Sequence, residues 1–294
     1  SSPTVLSNKI YDGLANGICV EQNGKGLLEN NEVYCNARSG ISVKGSTPSM
    51  RLNKIHGNLK NGVECYENSE GLIEQNSIYS NTLNGIYIST GSNPTVVSNK
   101  IYDGFGCGIY VLNNGKGVIE TNEVCNNALA GIRVEKKSSP TIRSNKVHSG
   151  KEDGIMICDG SEGLIELNNI YKNMHAGINI LTGSNPTVLS NKIYDGIDDG
   201  ICVSNSIPSV SFNKIYGNRK EGITFYEEST GLLEQNQIYG NTCSGVLIAD
   251  GANPNVRLNK IYNNLECGIH VCKRGKGIIE NNDLYGNKDK IFQC

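Results

Sequence analysis

Tryptophan is missing from this chain, and among its 294 residues there are only 4 Phe, 3 Met, 4 His and 7 Pro. No hydrophobic run is long enough to span a bilayer, and no signal peptide is recognisable. No cationic excess exists either, because the formal net charge is -2, so no nucleic-acid footprint is expected. Between the Gly and Asn punctuation, no window is long enough to carry an apolar stripe at helical spacing, which excludes helix-containing repeats.

What the chain has in quantity is repetition. Asn99 has counterparts at Asn8, Asn31, Asn53, Asn76, Asn122, Asn145, Asn168, Asn191, Asn213, Asn236, Asn259 and Asn282, thirteen copies at a spacing of 23 with two steps of 22. A period in this range marks a solenoid whose units stack only on their neighbours. Two residues past each Asn stands Ile, Val or Leu, as in Ile10, Val33, Ile101 and Leu284. Eight further on, in the first twelve copies, a second apolar pair follows at alternate spacing, Ile109 with Val111 in the fifth. Such period-two patterning describes short half-buried strands. A Gly precedes this second strand in every such copy, Gly40 and Gly85 among them, and five residues after the ladder Asn stands only Gly or Asn, such as Gly13 and Asn36. Both are expected at positive φ, where their steric cost is least.

The expected fold is all-β, a single-stranded right-handed parallel β-helix of about thirteen rungs of 22–23 residues forming one domain over 1–294. The Asn files are expected to point inward and satisfy one another and the turn backbone. The chain opens without Met, directly into a rung, and is expected to be excised from something longer. Two residues before the ladder Asn the charges alternate, Glu29, Arg51, Glu74, then Glu120, Arg143, Glu166, which favours register at about 0.2–1 kcal/mol per exposed pair. A Tyr file (Tyr11, Tyr34, His56, Tyr79, Tyr102) reads as a structural stack in which His56 and His148 replace Tyr. Eleven Cys lack the spacing of a zinc or redox motif and read as small buried hydrophobes in a reducing compartment. Cys243, Cys267 and Cys272 fall on adjacent rungs, and a disulfide or metal there is the lesser reading. No cofactor or metal is expected.

The rung text from Asn93 to Val111, alternating with the Gly-led rung from Gly26 to Val43, resembles the carbohydrate-binding-and-sugar-hydrolase (CASH) β-helix repeats of certain F-box-only proteins. That resemblance implies the substrate-binding β-helix of a ubiquitin ligase subunit with a protein partner; the reduced cysteines point to a cytoplasmic or nuclear location, and the charge and the short apolar runs to neither nucleic acid nor membrane as partner. Neither the F-box nor the zinc module of that family is in this chain. The expected protein-binding patch lies on the outward face of the second strand: Glu64, Tyr66, Tyr87, Tyr110, Leu112, Arg133 and Met156. Two alternatives stand beside it, a structural scaffold of cytoskeletal or ciliary type and a β-helix polysaccharide lyase, hydrolase or epimerase. For the enzyme the candidate residues are Glu152, His175 and Asp198 on successive rungs, with Asp153, Asp199 and Glu221 one column over and Lys151 and Lys220 beside them.

Overall fold

A computed structural model describes all 294 residues, and every regular element in it is a strand. Thirty-nine strands follow one another in sets of three, giving thirteen turns of a parallel β-solenoid. In the turn built on Asn99 the strands are Thr95–Val97, Lys100–Tyr102 and Ile109–Leu112. The first of these was not expected. Its inward residue stands three before the ladder Asn, and that column is apolar throughout, with Leu28, Met50, Ile73, Val96 and Ile119 fully or almost fully buried.

The chain divides into two compact units, 1–150 and 151–294. Within the first, seven strands of each of the first two sheets and six of the third pair in parallel with their counterparts one turn away, Lys100 opposite Glu123 and Tyr110 opposite Arg133. The second holds six, six and seven, built the same way, with Ile193 opposite Ile215 and Val203 opposite Phe225. Each core is a bundle of files, such as Val33, Ile55, Ile78, Ile101 and Val124 in the first unit, all inaccessible to solvent. Fully burying one such side chain contributes about 1.5–3 kcal/mol, so apolar stacking carries each turn.

The Asn file behaves as its spacing predicts. Asn99 Oδ1 accepts from Asn76 N–H and from Asn76 Nδ2 at 2.9 Å each, while Asn99 Nδ2 donates to Ile73 O at 2.8 Å and to Asn122 Oδ1 at 3.0 Å. Each buried amide thus satisfies the turn before it and the turn after it. The Gly/Asn column five further on is different from expectation: it is a second buried amide file, in which Asn58 N–H donates to Asn81 Oδ1 at 3.1 Å and Asn58 Nδ2 to the same atom at 2.9 Å. The left-handed corners lie elsewhere, immediately before the ladder Asn (Ser98, φ 56°), four residues after it (Asp103, φ 53°) and beyond the third strand (Asn113 and Asn114, φ 52° and 58°).

The Gly before the third strand of the first twelve turns is likewise not a left-handed residue. A Cβ on Gly40 would lie 2.6 Å from Ile55 Cγ2 and 2.8 Å from both Asn58 Nδ2 and the Gly62 carbonyl oxygen. Close approach between turns, and not φ, demands glycine there. Outside the core, ion pairs form as the alternation of charge predicts: Arg51 to Glu29 at 3.1 Å, Arg143 to Glu120 and Arg257 to Glu234 at 2.9 Å. Tyr34, His56 and Tyr79 stack nearly parallel, at 5.2 and 4.6 Å between centroids.

Candidate functional site

The second unit carries a polar cleft of about 350 Å³ lined by Asp153, His175, Ala176, Asn179, Asp198, Asp199, Cys202, Lys220 and Tyr226. Its origin lies in one column of the repeat, eight residues past the ladder Asn. Elsewhere in the first twelve turns this column holds Asn, Ser, Cys or Ala, but from Asp153 it runs Asp, Ala176, Asp199, Glu221. Ala176 leaves space between two carboxyl groups that stand two turns apart, about 10 Å along the axis at the usual strand spacing.

Both carboxyl groups are buried, Asp153 5% exposed and Asp199 9%. Desolvation raises the pKa of Asp153, an effect opposed by the hydrogen bond that Asn179 Nδ2 donates to Asp153 Oδ2 at 3.0 Å and by His175 nearby. Asp199 is pushed up to about 7, first by burial and then by the negative charge of Glu221, with Thr224 offsetting part of it. Asp199 Oδ1 accepts from Glu221 N–H at 3.1 Å. Asp198 is paired with Lys220 at 2.7 Å and also accepts from Asp199 N–H at 2.9 Å. On the adjoining strands Cys202 Sγ lies 3.1 Å from the Tyr226 hydroxyl, and burial drives both groups well above their ordinary pKa, the thiol to about 12. A thiol so held is no nucleophile near neutral pH.

The candidate residues from the sequence are therefore redistributed. His175 and Asp198 line the cleft, and the buried acids are Asp153 and Asp199 of the neighbouring column. Glu152 is not in the lining, and its backbone carbonyl accepts from His175 N–H at 3.4 Å. Asn179, Cys202 and Tyr226 were not anticipated, because they enter from the third strand and its end, two columns beyond the turn.

The residues of the expected protein-binding patch are largely engaged with side chains of their own and adjoining turns. Glu64 accepts from Ser39 at 2.7 Å, Ser42 at 2.8 Å and Asn61 at 3.3 Å. Tyr110 donates to Glu135, which also takes two hydrogen bonds from Arg133 at 2.9 and 2.7 Å. Tyr87 meets Tyr110 edge-on at 5.7 Å, while Tyr66 and Tyr87 are half-buried. Leu112 is buried, not displayed, and Met156 is half-buried within the second unit.

The sequence model described as "Right handed beta helix region" matches residues 1–139, 95–209 and 190–294, which together span the chain. No curated protein sequence matches it. Among solved structures, the A-module of the mannuronan C-5 epimerase AlgE6 from Azotobacter vinelandii superimposes with a TM-score of 0.69 at 16% identity, covering 92% of this chain and 91% of that one. A double mutant of the periplasmic alginate epimerase AlgG gives 0.66 at 17% identity, with 88% and 76% covered. The Agl-KA catalytic domain gives 0.63 at 13% identity, with 92% and 62% covered. At these identities the likeness is one of fold. The expectation of an F-box-type ubiquitin-ligase recognition domain is nonetheless corrected by it, since the proteins sharing this architecture include polysaccharide epimerases and a catalytic domain.

Proposed function

From the premise that this chain belongs to the right-handed β-helix family, we propose that it is a carbohydrate-active enzyme that cleaves a neutral polysaccharide by acid–base hydrolysis in the cleft of the second unit. The observation that carries the reading is the pair of buried carboxyl groups lining one cleft, in turns on either side of that of Ala176, with burial raising the pKa of both and that of Asp199 to about 7. Inverting glycoside hydrolysis needs two carboxyl groups about 6.5–9.5 Å apart with a water between them, a spacing that two turns of this ladder approach. Asp199 supplies the proton that the departing glycosidic oxygen takes as its bond to the anomeric carbon breaks. Asp153, oriented by Asn179, takes a proton from the water whose oxygen bonds to that carbon. Lys220 and Asp198 at the rim, with Tyr226 and His175, offer hydrogen bonds suited to sugar hydroxyls.

Charge separates this substrate from those of the epimerases that share the fold. Asp153, Asp198 and Asp199 line the cleft, with the charge of Glu221 acting on Asp199, against Lys220, already paired, and His175. A uronate carboxylate would meet like charge there, whereas a neutral sugar would not. The test is release of reducing ends from neutral hexose and pentose polymers, with alginate and pectate run in parallel. Turnover is expected on the neutral panel, with kcat lowered about 10²–10⁴-fold in Asp199→Asn and in Asp153→Asn. Turnover confined to the uronates would transfer the chain to lyase or epimerase chemistry, and neither turnover nor binding on any polymer would remove the reading.

A further inference from the structure

We propose that His270, Cys272 and Cys294 form a binding site for a thiophilic divalent cation of the zinc class. Their ligand atoms, one imidazole nitrogen and two sulfurs, all lie within 4.8 Å of one another. The strand Cys267–Val271 places His270 on one face, and Cys272, two residues on, shares that face. The strand Asp289–Gln293 pairs with it in parallel, Val271 opposite Gln293, and Cys294 N–H donates to Val271 O at 3.1 Å. Cys294 is thereby set over Cys272, and its Sγ lies 3.7 Å from His270 Nε2.

Tetrahedral zinc takes sulfur at about 2.3 Å and nitrogen at about 2.0–2.1 Å, which puts a sulfur and a nitrogen ligand about 3.6 Å apart. The 3.7 Å between Cys294 Sγ and His270 Nε2 matches that spacing, and Cys272 Sγ lies within 4.8 Å of both atoms. The imidazole is steadied by Phe292, whose ring meets it edge-on at 5.3 Å. These cysteines also differ from those that fill the core. Cys65 is inaccessible and Cys202 is 6% exposed, whereas Cys272 is half-exposed and Cys294 exposed. Two thiolates with an imidazole select zinc over magnesium or calcium, and three protein ligands on an open face leave a fourth position for water. The grouping of Cys272 with Cys243 and Cys267 suggested by rung spacing gives way to this one, because Cys267 is buried beside Ser244.

Cobalt(II) titration of the reduced, metal-free 294-residue chain is the test. One equivalent is expected to produce sulfur-to-cobalt charge-transfer absorption with the intense visible bands of a tetrahedral site, discharged by one equivalent of zinc. Cys294→Ser, at an exposed position, should weaken binding about a hundredfold or more and reduce the charge-transfer intensity by about half. Cys272→Ser should do the same, and Cys19→Ser, exposed in the other unit, should change nothing. An unaltered cobalt spectrum in Cys294→Ser would overturn the site. So would a Cys272–Cys294 disulfide found by peptide mass spectrometry in protein isolated with zinc present.

Discussion

An aspartate in a surface turn is ordinarily fully ionised at neutral pH, and Asp199 is held partly protonated there, because burial and then the charge of Glu221 oppose its ionisation. The consequence for stability has a definite sign. A carboxyl whose folded pKa is raised binds a proton more tightly folded than unfolded, so its contribution is complete below about pH 4 and is lost as pH rises through about 7. Replacing Asp199 by Asn removes that dependence. Thermal melts across pH 4 to 8 should therefore show the parent chain losing ground to Asp199→Asn as pH rises, with the two curves diverging most steeply midway between about pH 4 and 7 and running parallel once pH is above the folded pKa. Curves parallel throughout would mean that Asp199 ionises freely. Activity on a neutral glycan should fall as pH rises through about 7, where the acid loses its proton.

At the scale of the single turn, glycine acts through what its absent side chain permits. Gly40→Ala would drive a Cβ into Ile55, Asn58 and the Gly62 carbonyl of the next turn, and backbone cannot yield there without breaking a ladder. A loss of about 1–3 kcal/mol is expected by chemical denaturation, the usual cost of overpacking. The contrast is Gly183, where nothing lies within 4 Å and only its φ of 71° resists substitution. Sequence alone makes the second and third strands of each turn plain, since Ile101 stands between exposed Lys100 and half-buried Tyr102, and Ile109 and Val111 flank half-buried Tyr110. It conceals the first strand, because the inward Val96 or Ile119 is separated from the others by the Asn corner and preceded by Pro in one rung type and Gly in the other. The site was legible in the same uneven way. The acidic column is visible as a departure from Asn and Ser, but the depth of the cleft depends on a missing side chain, Ala176, between two turns. The metal-ligand set is hidden because Cys294 reaches His270 only through the pairing of successive turns, a separation of 24 residues along the chain.

Across the stack, the same fold that multiplies structural residues leaves chemistry to a few exceptions. Each file repeats what holds the turns together, so the positions that break a file, Asp153 and Asp199 among them, are where function is to be sought. Nearest-neighbour stacking also predicts how damage spreads within the unit 1–150. Ile101 is inaccessible and sits between Ile78 and Val124 in successive strands of the second sheet. Truncation to Ala should cost about 2–5 kcal/mol, through lost burial and the cavity left behind. In a globular core that loss would be shared by every amide that opens only on global unfolding. In a stack whose turns touch only their neighbours, it should concentrate nearby. Native-state hydrogen exchange of Ile101→Ala is therefore expected to accelerate amides of residues 72–125 by about 30-fold or more, while those of Lys9–Tyr11 and Ile18–Val20 stay near their original rates. Uniform acceleration from residue 4 to residue 148 would mean instead that these turns open as one cooperative body, and that the energetics of the stack are not those of neighbouring pairs.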